Sequence, residues 1–309
     1  MLVLDAGSTS ILSKIPVEKL ETSRLWTSEA LVQFPKEVLQ HHKDYLQVCD
    51  IISTFTYQLD ESIYDEQVEK VPLLEVYSRS MALALQAREE VKLPKKYVAL
   101  TLGSHAATIP GAMEYRMVYD KPGDFDMLYN FHKKRLEQFQ SSNPEAFKQI
   151  DYLAFESLPH ITEALALHKL LTDFKGWNKR CWITSTCPDL KSLDRVKQIL
   201  TALLDTNSEY IWGVGVNCCH ISLLPTITST LSDLFKGHAD KTVMLYPDGR
   251  GFPNPYTTSL TSEVKPAPSP EEWADSSFEY SKLNDGNVVV GGCCETDIRH
   301  VSNLRTKCH

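Results

Sequence analysis

The chain has 309 residues, 42% of them hydrophobic and 23% charged, with a formal net charge of −8 and a pI near 5.7. That is enough apolar material for a sizeable core, and the charge density is ordinary for a globular protein, so disorder is excluded as the default. The acidic balance disfavours a nucleic-acid backbone or an anionic membrane as partner, and no run is long enough to span a bilayer. The opening Met1-Leu2-Val3-Leu4-Asp5 lacks a basic leader and reads as a strand. Eight cysteines in a chain of this size, two pairs of them adjacent, suit the reduced thiols of a cytoplasmic protein better than a disulfide framework. Cys49 and Cys181, beside apolar runs, read as ordinary buried side chains.

In chain order, short apolar and β-branched runs at 2–5, 50–56, 97–102, 152–155, 181–184, 211–217, 243–246 and 288–291 predict eight buried parallel strands. Between them 35–48, 71–91, 126–140, 162–174, 189–205 and 226–235 have helical character. This alternation predicts a single α/β (β/α)8 barrel, of the triosephosphate isomerase (TIM) type, over residues 1–309. A doubly wound open sheet would offer a glycine-rich phosphate loop after its first strand. Asp5-Ala6-Gly7-Ser8-Thr9 has one glycine, and Gly213-Val214-Gly215 sits inside a strand. The stretch 247–270, rich in Pro, Gly, Ser and Thr, reads as a long loop on the active face.

Catalytic groups of such barrels come from the C-terminal strand ends. Here those ends carry Asp5, Glu156, Asn217-Cys218 and Gly291-Gly292-Cys293-Cys294. The sixth and eighth strands contribute to the same interior layers, so their thiols can meet across the mouth. Adjacent cysteines can both face one ion if the chain leaves the strand there, a freedom that Gly291-Gly292 is expected to supply. Cys218, Cys293 and Cys294 would then give three thiolates and an open fourth position, the arrangement of a catalytic zinc. Cys219 would point away from Cys218, and His220 reads as polar surface. His41-His42, among polar neighbours, reads as solvated, and Phe131 and His132 as packing residues. Cys308-His309 reads as a tail.

In this order and spacing the motifs resemble the homocysteine S-methyltransferase family, nearly end to end. Gly291-Gly292-Cys293-Cys294 carries most of the likeness. Gly215-Val216-Asn217-Cys218, Phe155-Glu156-Ser157-Leu158-Pro159, Thr56-Tyr57-Gln58, Glu114-Tyr115, Phe131-His132-x-x-Arg135 and Tyr246-Pro247 support it. Departures are Ala6 for a glycine, Asp248-Gly249-Arg250-Gly251 for the family's N-S-G-E, Ser157-Leu158 for T-I, and Glu295 where arginine is common.

The resemblance implies transfer of a methyl group from a sulfonium donor, S-methylmethionine or S-adenosylmethionine, to the thiol of L-homocysteine, giving methionine. It implies Zn2+ on Cys218, Cys293 and Cys294, with no catalytic residue needed beyond that site. Glu156 is expected to bind the homocysteine amino group, with Asp5 and Asn217 as further substrate-binding candidates. The alternative is a non-catalytic barrel whose zinc is structural or whose cysteines are redox thiols.

Overall fold

The computed structural model describes all residues except 17–22, 117–123, 254–263 and 309. Eight parallel strands form one sheet in the order β1-β8-β7-β6-β5-β4-β3-β2. They are β1 Leu2–Val3, β2 Ile51–Ser53, β3 Tyr97–Gly103, β4 Tyr152–Leu158, β5 Arg180–Thr186, β6 Ile211–Asn217, β7 Thr242–Tyr246 and β8 Val288–Val290. A parallel bridge from Leu4 to Ile51, with Asp5 N–H donating to Ile51 O at 3.0 Å, joins the two ends of the sheet and closes the barrel. A main helix follows each strand: α1 Pro35–Val48, α2 Leu73–Val91, α3 Phe125–Ser142, α4 Ile161–Asp173, α5 Leu193–Asp205, α6 Leu224–Leu234, α7 Pro270–Phe278 and α8 Ile298–Lys307. The expected barrel is therefore the observed one. The middle of the 247–270 stretch and His309 fall outside the described residues. Among the described residues no helix is long and apolar enough to cross a membrane.

Side chains alternate across each strand, so they feed two apolar compartments. Leu4, Ile51, Ala99, Tyr152, Trp182, Met244 and Val289 fill the barrel interior. A larger set, including Val98, Leu153, Ile183, Val214 and Val243, packs outward against the helices. Gly215 is required by this packing, because a Cβ there would run into the backbone of Met244, its partner on β7.

Two expectations change. His41 and His42 are 2% and 0% exposed, not solvated. They lie on the buried stripe of α1 with Val38, Tyr45 and Leu46, and both rings meet Phe55 edge-on. Burial pushes the pKa of each below the usual histidine range, so both stay neutral. His220 is also buried, and its Nδ1 accepts the Ser222 N–H at the start of a short helical turn.

One buried cation holds the loops at the mouth together. Arg135 of α3, 1% exposed, donates to the carbonyls of Thr56, Tyr57, Leu59 and Gly103 at 2.6–3.1 Å. These carbonyls belong to the loop after β2 and the end of β3; Thr56 O and Tyr57 O also accept the Leu59 and Gly103 N–H groups, and Arg135 draws the two segments together. Arg135→Met should take a donor from each of the four and lower stability by about 3 kcal/mol. Thermal unfolding of the variant checks this, and a Tm equal to that of the parent would remove Arg135 as the tie.

Candidate metal and substrate site

The C-terminal strand ends surround one cavity of about 370 Å3. It is lined by each residue expected there: Asp5, Glu156, Asn217, Cys218, Cys293 and Cys294. The sulfurs of Cys218, Cys293 and Cys294 and a carboxylate oxygen of Asp248 all lie within 4.8 Å of one another. Cys218 and Cys293 are joined as a disulfide, with Cα atoms 5.5 Å apart, and Cys294 Sγ is 3.7 Å from Cys218 Sγ. A sulfur in a disulfide is no thiolate ligand, so the cluster could hold a metal only when reduced. In the reduced state, three sulfurs and one carboxylate match a tetrahedral zinc site in number and chemistry.

The backbone around the cluster explains its convergence. Cys218 has a left-handed φ of 52° just past the end of β6 and is held by its N–H to Tyr246 O at 3.0 Å. Cys293 N–H donates to Pro247 O, and Gly249 N–H to Cys294 O, so the loops after β7 and β8 are stitched together. The role expected of Gly291-Gly292 is corrected. Neither glycine has a positive φ. What they provide is room: a Cβ on Gly291 would come within 2.6 Å of Leu4 Cβ, and one on Gly292 would strike Thr296. The left-handed turn comes later, at Glu295 with φ 58°. Cys219 faces the apolar core and stands outside the cluster, as expected.

Asp5 and Asp248 are buried and Glu156 is half-buried, with little to neutralise them. Asp5 accepts the N–H and the hydroxyl of Ser53, yet burial still pushes its carboxyl up to about 7. Burial, with the Asp5 charge adding to it, pushes Glu156 up to about 8. Asp248 rises to about 7 through burial, with Arg250 opposing. Burial also raises the Cys294 thiol to about 12, again against Arg250. Arg250 Nε lies 3.3 Å from Glu295 Oε1, so two of the departures noted in the sequence meet between the loops after β7 and β8.

Asn217 bridges strands. Its Nδ2 donates to Ser157 Oγ at 2.6 Å, its Oδ1 accepts the Ser157 N–H at 3.2 Å, and Nδ2 also approaches Cys293 Sγ at 3.9 Å. His132 pairs with buried Glu163 at 2.8 Å, away from the cavity, as a packing residue. Three wall residues were given no role in the sequence analysis: Tyr57, Glu114 and Tyr115. Tyr115 OH lies 3.2 Å from Cys218 Sγ and 3.8 Å from Cys294 Sγ. Their signal was present in the Thr56-Tyr57-Gln58 and Glu114-Tyr115 motifs, but nothing in the sequence said what they touch.

The family model for homocysteine S-methyltransferase matches residues 2–308. The chain belongs to the homocysteine S-methyltransferase family. It is 26% identical to homocysteine S-methyltransferase 2 of Zea mays, over 96% of this chain and 86% of that one. It is 24% identical to homocysteine S-methyltransferase YbgG of Bacillus subtilis, over 91% and 86%. It is 25% identical to betaine-homocysteine S-methyltransferase of Drosophila melanogaster, over 99% and 96%. Among solved structures, the catalytic domain of a chitinase from Pyrococcus furiosus aligns with a TM-score of 0.50 at 10% identity, over 99% of this chain and 94% of that one, a likeness of fold alone.

The raised carboxyl at Glu156 has a measurable consequence. Its proton is retained in the folded state up to about pH 8 but is lost from the unfolded chain near the ordinary glutamate value. The folded state therefore binds more protons between those limits, and stability falls as pH rises through the window. Glu156→Gln does not titrate. Its Tm advantage over the parent, without ligands, should widen by several degrees from pH 5 to pH 8, at roughly 2–4 °C per kcal/mol. A difference independent of pH would show that Glu156 is not held protonated.

Proposed function

We propose that this family member is a zinc-dependent enzyme that moves a methyl group from a sulfonium donor to the thiol of L-homocysteine. The observation that carries the reading is the meeting of three cysteines with two acids, buried Asp5 and half-buried Glu156, around one cavity at the strand ends. Cys218, Cys293 and Cys294 would hold the metal. Zinc bound there supplies Lewis-acid stabilisation of the acceptor thiolate at neutral pH.

The chain's own residues supply the remainder. Glu156, with Asp5 behind it, binds the acceptor ammonium, which offsets the burial of both carboxylates. Asn217 fixes Ser157 and faces Cys293, and Tyr115 directs its hydroxyl at the cluster. The enclosing wall keeps water from the donor methyl. In the transfer the acceptor sulfur gives an electron pair to the methyl carbon as the carbon–sulfur bond of the donor breaks. That bonding pair stays on the departing sulfur, which becomes a neutral thioether. The acceptor thiol proton is released to solvent.

Asp248 favours a second reading. With its carboxylate as fourth ligand the site would be closed and the zinc structural. One set of measurements separates the two. Protein purified under reductant should carry one zinc per chain, and Cys293→Ser and Cys294→Ser should lose most of it. Absorption at the zinc edge should gain a sulfur neighbour when homocysteine is added. An unchanged spectrum would establish the closed site.

The reaction itself is checked by supplying homocysteine with S-methylmethionine, S-adenosylmethionine or glycine betaine and measuring methionine. Sulfonium donors should be used in preference to betaine. Glu156→Gln should raise the homocysteine KM by about 10- to 100-fold with zinc retained, as expected for a lost buried charge pair. An unchanged KM would release Glu156 from this role.

A further inference from the structure

The acceptor acids and the thiol cluster leave one buried carboxylate of the cavity unused. Glu114, on the short helix Met113–Arg116, is 2% exposed and lines the cavity. Its Oε1 accepts the Tyr57 hydroxyl at 3.3 Å, and its Oε2 has no hydrogen-bond partner among the described residues. The basic residues that line the cavity are Arg24 and Arg250, and neither forms an ion pair with Glu114. Tyr57 and Tyr115 stand beside it in the wall. A buried carboxylate with an unmet oxygen, sharing its wall with two tyrosines, is a costly arrangement for an empty wall and a favourable one for a cation that cannot donate hydrogen bonds.

We infer that Glu114, with the rings of Tyr57 and Tyr115, is the counter-charge for the onium centre of the methyl donor. The inference rests on the proposed methyl transfer and adds to it the residue that reads the donor's positive charge. An onium centre presents methyl and methylene groups around a positive sulfur or nitrogen, so it asks for a nearby negative charge and polarisable faces, and offers no N–H. Burial raises the Glu114 carboxyl to about 7, and a cation in the cavity reverses that effect.

The placement also sets the sign of the kinetics. The donor's charge disappears as its methyl leaves. Glu114 therefore stabilises the bound donor more than the transition state, and it has no hold on the neutral thioether product. Its loss should weaken donor binding without a matching fall in turnover.

The test compares each onium compound with its carbon isostere. S-methylmethionine is paired with 2-amino-5-methylhexanoate, and glycine betaine with 3,3-dimethylbutanoate. Affinities are measured calorimetrically on zinc-loaded protein with homocysteine absent. The parent should prefer S-methylmethionine over its isostere by about tenfold or more, the scale of a charge pair in a partly desolvated site. Glu114→Gln should abolish the preference, raise the donor KM by the same factor, leave kcat undiminished and keep the homocysteine KM within about twofold. Glu114→Asp should keep part of it. Tyr57→Phe, which retains the carboxylate and loses its one hydrogen bond, tests the arrangement if Glu114→Gln does not fold, and should reduce the preference.

Glu114→Gln weakening the onium compound and its isostere equally would mean that Glu114 reads the common ammonium, and would overturn the inference. So would a parent with no preference for charge. A preference in the betaine pair alone would keep the counter-charge and assign it to a quaternary ammonium donor. Absence of methyl transfer from every donor, with the charge preference intact, would overturn the proposed reaction and leave Glu114 as a cation site.

Discussion

The mouth of this barrel buries more negative charge than it neutralises. Asp5, Glu114, Glu156 and Asp248 all line or adjoin one cavity, and for each of them removal from water is the largest influence on the carboxyl. Cys294 stands among them as a thiol raised for the same reason. Elsewhere the acids are treated differently: Asp151 meets Arg88 at 2.8 Å, Asp50 meets Arg305, and Asp44 and Glu90 meet lysines on the surface. A fold that pairs these acids outside gathers four others at its mouth, where burial outweighs what neutralises them. Such an excess is sustained when the missing positive charge arrives with ligands, and a cation, an ammonium group and an onium methyl donor are what the proposed chemistry brings.

The barrel was legible because parallel strands buried on both faces must be short and apolar, and little else in the chain has that character. The span 211–217 and the helix 35–48 coincide with the observed elements, and the other boundaries shift by a few residues. The rim was legible for a related reason. Where an apolar strand ends in Asp, Glu, Asn or Cys, the polar residue sits at the mouth by construction. The histidines of α1 were misread through their immediate neighbours. The spacing of Val38, His41, His42, Tyr45 and Leu46 is that of a buried helical stripe, and in this case periodicity was the better guide.

What the sequence left dark is carried by contacts between loops. Gly291-Gly292 suggested torsional freedom, whereas the constraint is the close approach of Leu4 and Thr296 from elsewhere in the chain. Asp248 could be seen as a change in the loop after β7, but not as a fourth donor beside three sulfurs, because that requires the loops after β6, β7 and β8 to be docked first. Glu114 is further removed. Its position depends on Tyr57, whose carbonyl is fixed by Arg135 from a helix 78 residues later in the chain. No local pattern encodes a relay of this kind, from a long helix through two segments of the mouth.

That relay links the stability of the barrel to the charge of its contents. Arg135 fixes the backbone at Tyr57, Tyr57 gives its hydroxyl to Glu114, and Glu114 faces the cavity that the thiols close on the other side. Before transfer, on the proposed reading, the cavity holds a positive donor against a negative wall and a nucleophilic sulfur. After transfer both reacting charges are gone, and two neutral thioethers remain among groups suited to ions. Glu114 has then lost its hold on what the donor becomes, while the ammonium assigned to Glu156 is unchanged. Strong binding of the donor and easy release of what it becomes follow from the same buried carboxylate, with no movement of the protein required to convert one into the other.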